Sequence, residues 1–395
     1  MSEQRFHVIG MTDDQSGTFS AEILQLMGRG KVFSGGKRHH EIVASLLPED
    51  AVWIDITVPL DKVFSQYEAY AEIIVFASGD PLFFGFANTL KKRLPNAWMR
   101  VYPVFNSLQT LAHRLVLPYH DMRTVSLTGR PWQNLDEALI RGDKLIGALT
   151  DREKTPSRIA ARMLEYGYDN YRMTVGVHLG NKQAEEVYTL PLNEVIERNF
   201  GFPNCVILER VYQRERLFGI PESSFYLLND REKMITKSPI RLQALSMLDL
   251  HQKHTFWDIG FCTGSVSIEA KLQFPHLQIH AFECRPEGET LINLNTRKFG
   301  TPGIEYHIGD FMELDVSDLP APDAVFIGGH GGKLTEMLQK IDRYLLPGGC
   351  IVFNSVSENS LHLFREGIEA IDRRIDNEIG ITVDSYNPIT IIKAI

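Results

Sequence analysis

The 395-residue sequence predicts an α/β protein in two parts, an N-terminal two-lobed α/β domain over residues 1–212 and a C-terminal α/β domain over residues 213–395. Three observations carry this expectation. Short apolar runs alternate with helix-forming stretches along the chain, as in parallel or mixed sheets covered by helices. The first half holds more of these units than one small sheet needs, which predicts two lobes with a cleft between them. The second half is organised around Phe256–Ala270, which reads as a buried strand, a glycine turn and the first turn of a helix.

The first half starts with the apolar strand Phe6–Gly10, the polar stretch Thr12–Thr18 and a helix over Ala21–Gly28. Val52–Val58 alternates as a strand, and Ile73–Ala77 is a continuous apolar run. Ser78-Gly79-Asp80-Pro81 is turn chemistry at a strand end, and Pro81 suits the first position of a helix. Met99–Val104 is a strand, and Asn106 caps a helix running to Leu115. Thr124–Arg130 is a strand and turn, and Lys144–Thr150 a strand. Thr155-Pro156 opens the helix Ser157–Glu165, which Gly167 closes. Arg172–Leu179, Glu185–Leu190 and Asn204–Val211 complete a second sheet.

Tyr212–Lys233 is charged and without apolar period, and reads as the linker, with Gly219–Phe225 opening the second domain. A helix over Leu242–Leu248 precedes the central strand, which ends in Asp258 at the carboxyl edge, where open α/β sheets bind ligands. Gly260 and Gly264 let backbone approach a ligand closely, and Ser265 and Ser267 suit a helix N-terminus. Gln278–Glu283 ends in an acid 25 residues after Asp258, close to the ~20 of a ribose-gripping carboxylate. Glu305–Ile308 leads into Gly309-Asp310-Phe311, an acid and an aromatic that suit an adenine amine and its ring face. Together these marks point to adenosine. Pro322–Gly332 is the fourth strand with a loop of four glycines around His330, which can lie flat against a large planar ligand. Cys350–Val356 is the fifth strand, with Asn354 at its ligand-facing end. Ile379–Val383 and Thr390–Ile395 read as a terminal antiparallel pair.

The net charge of −9 argues against nucleic acid as main partner, because phosphate binding wants a basic surface. Met1–His7 is polar, so no signal peptide is expected, and no run approaches the ~18 apolar residues of a membrane span. Cys205, Cys262, Cys284 and Cys350 are scattered, each beside a strand, and are expected to be small core residues. No metal-ligand spacing and no Ser-His-Asp order stand out. The expected setting is the cytoplasm.

The turn lacks the G-x-G-x-x-G of dinucleotide sites. It resembles instead the D-x-G-x-G-T-G loop of Rossmann-like methyltransferases that bind S-adenosylmethionine (SAM), with Cys262 at the middle glycine. In the first half, Ser78–Gly85, Asn106-Ser107-Leu108-Gln109, Ser126–Arg130 and Leu149–Asp151 with Thr155-Pro156 resemble the tetrapyrrole methylase family over most of residues 5–211. That family usually has G-x-G-P-G after the first strand, of which Gly10 alone stands here, and a histidine where Thr128 stands. Ile235–Arg241 resembles the I-T-K-x-E-V-R entry of the decarboxylating precorrin C15-methylases, with Pro239 at the glutamate position. The whole chain is similar to the family in which these two halves are fused.

The resemblance implies a tetrapyrrole-methylase-like domain followed by a Rossmann-like methyltransferase domain, acting on a precorrin or cobalt-precorrin macrocycle at C5 and C15 with loss of a ring carboxyl. SAM is the implied cofactor. Its contacts would be Thr236, Asp258, Gly260, Phe261, Thr263, Gly264, Glu283, Gly309 and Asp310, with Gly79, Asp80 and Pro81 in the first half. His330, Arg241 and Lys237 are the implied catalytic or substrate-facing groups, with Lys333 and Arg130 as further cations for the macrocycle's carboxylates. The chemistry needs few acid–base groups, since a sulfonium is a good leaving group and alignment supplies most of the rate. A nucleobase-amine methylase would show [DN]-P-P-[YF] where Ile327–Gly332 stands. The resemblance also implies a homo-oligomer without nucleic-acid or membrane partners. Two alternatives stay open: a first domain that only binds or channels substrate, and a methyltransferase of another small molecule or RNA.

Overall fold

The computed structural model describes residues 4–14, 18–231, 234–384 and 387–395. Met1–Glu3 at the start, Gln15–Gly17 of the polar stretch and Glu232–Lys233 of the linker lie outside the described residues. The chain forms two compact units. The first takes residues 1–130, 144–160 and 171–209, and the second residues 131–143, 161–170 and 210–395.

The first unit holds two five-stranded sheets. One is formed by β1 (Arg5–Met11), β2 (Val32–Gly35), β3 (Val52–Asp55), β4 (Glu72–Ser78) and β5 (Trp98–Tyr102) in the order β3-β2-β4-β1-β5. Its neighbouring strands pair in parallel, as Val8 opposite Val75. Phe6, Val8, Ile73 and Val75 pack on one face, and Ile9, Phe33, Ile74 and Phe76 on the other. Burial on both faces is why these strands read as continuous apolar runs. Helices α1 (Ala21–Arg29), α2 (Lys37–Val43), α3 (Asp61–Tyr67) and α4 (Phe86–Arg93) accompany this sheet, and α5 (Ser107–Arg114) packs Leu108 and Leu111 against Cys205 and Ile207 of the second sheet. Asn106 caps α5 with its side chain on Gln109 N–H, while Gln109 Oε1 accepts from Asn106 N–H. Helix α4 starts at Phe86 and not at Pro81. The Asp80 carboxylate accepts from Leu82 N–H at 2.9 Å, and Phe84 takes φ 54°, so the chain makes an extra turn first.

The second sheet is mixed, as expected. β6 (Arg123–Ser126), β7 (Leu145–Leu149), β8 (Tyr171–Val177), β9 (Glu186–Pro191) and β10 (Asn204–Arg210) lie in the order β6-β7-β10-β8-β9. β6 runs parallel to β7, whereas β10 is antiparallel to β7 and β9 to β8. Helices α6 (Gln133–Arg141), α7 (Pro156–Glu165) and α8 (Leu192–Ile196) are interspersed in the chain. Periodicity did not signal α2, α3, α6 or α8. Three of these have only five to seven residues, too short for a helical period to register.

The second unit is built on seven strands: β11 (Thr255–Ile259), β12 (Gln278–Glu283), β13 (Ile304–Ile308), β14 (Ala324–Ile327), β15 (Cys350–Ser355), β16 (Ile375–Ile381) and β17 (Ile389–Ala394). Their order is β13-β12-β11-β14-β15-β17-β16. The first five are parallel, and β17 and β16 join antiparallel. The order reverses beside β11, and such a switch point opens a crevice at the strands' carboxyl ends. Helices α9 (Ser238–Leu248), α10 (Ser265–Gln273), α11 (Glu287–Phe299), α12 (Leu334–Asp342) and α13 (Glu358–Ala370) belong to this unit. Trp257, Phe282 and Phe353 anchor one core cluster, and Phe256, Ile279 and Val352 the other.

Residues 131–143 and 161–170 join this unit through specific bonds. Arg162 forms a fork on Asp136 at 2.8 and 2.7 Å, Gln133 donates to the His276 carbonyl, and Tyr168 donates to the Gly300 carbonyl. Among the described residues, no helix is long and apolar enough to cross a membrane.

Candidate functional site

The turn between β11 and α10 is fixed from both sides. Gly260 and Phe261 donate their N–H groups to the Phe282 carbonyl at 2.8 and 3.2 Å, and Gly328 donates to the Ile259 carbonyl at 2.8 Å. Gly260 has φ 80°, and a Cβ there would stand 2.7 Å from Gly329 N. Only glycine allows this backbone-on-backbone approach. Cys262, at the position where the motif prefers glycine, takes φ 51° and donates its N–H to Glu283 Oε2 at 2.8 Å. Its side chain fits, and the difficulty is the left-handed backbone, which disfavours any residue with a Cβ.

Asp258 is fully buried and faces the first turn of α10. Ser267 donates to its Oδ2 from both N–H (3.1 Å) and hydroxyl (2.5 Å). The residue preceding α10 is Gly264, so Asp258, and not Ser265, serves the helix start. Burial pushes the Asp258 carboxyl up to about 7, against the two Ser267 hydrogen bonds. Its Oδ1 has no partner among the described residues.

The strand ends beyond the turn supply the remaining walls. Glu283 is buried, and its Oε1 accepts from Arg285 N–H at 3.0 Å. Asp310 is exposed. Its Oδ1 accepts from Met312 N–H at 2.9 Å and its Oδ2 from Lys333 Nζ at 2.7 Å. The Lys333 contact holds its carboxyl below the usual carboxylate range. Together these residues border a cavity of about 500 Å³, within the range of ligand pockets.

Gly260, Phe261, Glu283, Gly309, Asp310 and His330 line this cavity, and so do Thr236 and Lys237. His330 Nδ1 accepts from Gly332 N–H at 3.2 Å, which puts the proton of the neutral ring on Nε2. Burial lowers its pKa, and Phe353 meets the ring edge-on. Asn354 also lines the cavity. It is 8 % exposed, and its Oδ1 has no partner among the described residues.

Other expected residues are not brought to the cavity. Asp258, Thr263 and Gly264 lie behind its wall, with Thr263 Oγ1 buried and unpartnered. Arg241, expected to face substrate, is completely buried. It pairs with Glu269 at 3.1 Å and donates to the carbonyls of Thr236 and Ile220. Desolvation confines a guanidinium to such a fully paired pocket. Arg241 therefore acts on the cavity through Thr236 and Lys237, whose carbonyls its side chain and its N–H hold. Cys205 and Cys350 are buried, as expected, but Cys284 is exposed and Cys262 half-buried, because both sit where strands give way to loops.

The first unit has its own cavity of about 630 Å³. Gly79, with φ 63°, lines it, whereas Asp80 and Pro81 turn away into the Leu82 turn. A Cβ on Gly10 would stand 2.4 Å from the Gly79 carbonyl, so β1 and β4 meet here backbone to backbone. Thr128 lines the cavity and donates to the Thr150 carbonyl, while Arg130 stands over the Phe84 ring at 5.0 Å.

Sequence reasoning missed one polar cluster in this cavity. Asp13, buried, accepts from Arg38 at 2.7 Å and contacts His178 Nδ1 at 2.8 Å. His39 contacts Ser78 Oγ at 3.0 Å, and burial beside Arg38 lowers its pKa to about 4. Residues 13, 38 and 178 share no sequence spacing, and Lys37–His40 was the only local signal.

The model of the precorrin methyltransferase domain family matches residues 228–376. The precorrin-6Y C(5,15)-methyltransferase [decarboxylating] of Sinorhizobium sp is 30% identical over 353 residues, 89% of this chain and 84% of that protein. The cobalt-precorrin-6B C(15)-methyltransferase (decarboxylating) of Salmonella typhimurium is 40% identical over 128 residues, 32% of this chain and 65% of that protein. A solved structure of precorrin-6y C5,15-methyltransferase from Geobacter metallireducens is 33% identical, with a TM-score of 0.42, and covers 46% of this chain and 98% of its own.

Proposed function

The chain belongs to the precorrin-6Y C5,15-methyltransferase (decarboxylating) family, a methyltransferase of cobalamin biosynthesis, and we propose that it uses SAM at both of its cavities. Residues 1–212 methylate C5 of the precorrin or cobalt-precorrin macrocycle. Residues 213–395 methylate C15 and release a ring acetate carboxyl as carbon dioxide. The setting is the cytoplasm and the assembly a homo-oligomer.

The observation that carries this reading is the convergence of the β11–α10 turn, Glu283 and Asp310 on one cavity. The residues present fit an adenosyl sulfonium. Gly260 lines the cavity with backbone and no side chain, and the buried Asn354 Oδ1 in the cavity wall lacks a partner among the described residues. Glu283, held by the N–H groups of Cys262 and Arg285, is set to accept from ribose hydroxyls. Asp310 suits the adenine amine, with Lys333 as its present partner. SAM supplies the methyl group, and alignment and exclusion of water are the protein's part. His330 Nε2–H and the Lys237 ammonium line the cavity and are the groups assigned to substrate carboxylates. Arg241 positions Thr236 and Lys237 by holding the Thr236 carbonyl. When the carboxyl leaves, the electron pair passes into the conjugated macrocycle, so no covalent nucleophile is needed.

Incubating the full chain with SAM and a precorrin-6B-type or cobalt-precorrin-6B-type substrate tests the proposal. Mass spectrometry should show two methyl groups gained and one carbon dioxide lost. An unchanged mass with both substrates would overturn it. A second reading, a first domain that handles substrate without methylating it, is favoured by the loop after Gly10, where Asp13 is tied to Arg38 and His178. Calorimetric titration of the full chain with SAM separates the two, with two sites expected for two methylases and one for the second reading.

A further inference from the structure

Strands β12 and β13 run parallel, with His280 opposite Glu305 and Phe282 opposite His307. Alternation along each strand puts all four side chains on one face of the sheet. His280 Nδ1 lies 3.2 Å from His307 Nε2 and 3.5 Å from Glu305 Oε2, and the three atoms lie within 4.8 Å of one another. Four donors about a zinc ion at ~2.0–2.1 Å are spaced ~3.3 Å apart. The two imidazoles therefore already stand at a ligand–ligand separation.

Both rings are held in place without a ligand. His280 is 3 % exposed. His307 stacks on Phe282 at 4.9 Å and 22°, and on His280 at 5.5 Å and 21°. The Glu305 side chain is 70% exposed and can swing inward. Two imidazoles and one carboxylate select borderline divalent ions over the hard Mg²⁺ and Ca²⁺.

We propose that His280, His307 and Glu305 form a binding site for a borderline divalent cation such as Zn²⁺, clamping β12 to β13 with a further coordination position open to solvent. The site is independent of the SAM reading, since none of the three residues lines the cavity. It is coupled to that cavity through the chain, because each strand runs on, three residues later, into Glu283 and Asp310. The sequence does not announce it, because the histidines sit on neighbouring strands 27 residues apart.

The test uses the untagged full-length protein, stripped with a chelator and desalted. Calorimetry with ZnCl₂ should show one tight site per chain, and CoCl₂ should give the visible bands of a nitrogen- and oxygen-ligated Co²⁺. MgCl₂ should give neither. His307→Gln should abolish this site, and Glu305→Gln, an exposed change that leaves folding alone, should weaken it about ten-fold or more. No stoichiometric uptake by the parent protein, equal uptake of Mg²⁺, or undiminished affinity in both variants would each overturn the proposal.

Discussion

Cys262 is the residue at which sequence and structure agree most closely on a local difficulty. The motif prefers glycine there, and the backbone explains why, with φ 51° in a loop whose N–H must reach Glu283. A left-handed residue with a Cβ costs roughly 1–2 kcal/mol. Glycine regains part of this and loses some to unfolded-chain entropy. Cys262→Gly is therefore expected to stabilise the protein by about 0.5–1 kcal/mol, read as a higher urea midpoint, with SAM affinity equal or tighter. Asp258 gives a pH prediction. Its carboxyl is raised to about 7 in the fold, so the folded state holds the proton more tightly. That contribution is complete below the ~3.9 of an unfolded aspartate and is lost as pH rises towards 7. Asp258→Asn should flatten this decline, which amounts to ~1.4 kcal/mol for each pH unit traversed. Parallel urea titrations at pH 5 and 8 with identical slopes in parent and variant would refute it. The cavity positions of Glu283 and Asp310 were legible because the carboxyl ends of neighbouring parallel strands meet at one edge of the sheet. Asp13 and His178 were not, since their meeting depends on how distant segments fold together.

At the scale of elements, the central strands β1, β4, β11, β14 and β15 were readable because burial on both faces makes them continuously apolar. Starts of helices were less so. Pro81 carries a helix-opening signal, yet the Asp80–Leu82 turn takes the backbone first and α4 waits until Phe86. The β11–α10 turn makes its own prediction. Gly260→Ala forces a Cβ against Gly329 N in a left-handed conformation and should destabilise by about 1–3 kcal/mol. SAM binding in the second unit should fall at least ten-fold, measured by calorimetry, while any site in the first unit is unaffected. The start of α9 is held by Arg241, which Ile235–Arg241 suggested as a substrate contact. Removing one partner of a buried pair leaves an uncompensated charge, so Arg241→Ala should destabilise by roughly 3–5 kcal/mol. Replacing both partners, Arg241→Met with Glu269→Leu, should recover most of that stability. SAM affinity should stay reduced, because nothing then holds the Thr236 carbonyl. A double variant with full affinity would remove Arg241 from the positioning role.

Across the whole molecule, the sequence predicts a single boundary near residue 212, and the stretch beyond β10 is exposed and irregular. The contact units follow a different path, because α6 and the end of α7 belong with the later part of the chain. Sequence could not show this, since the decisive partners are a buried arginine–aspartate fork and single carbonyls of residues more than a hundred positions away. Arg216 is exposed within that stretch and is the expected site of limited tryptic cleavage. The nicked protein should run as two bands on a denaturing gel and as one peak on gel filtration. Separation of the fragments without denaturant would contradict the assignment of α6. The polypeptide passes between the units five times, at residues 130, 143, 160, 170 and 209. A cut of the gene at any one of these positions therefore separates residues that belong to a single unit.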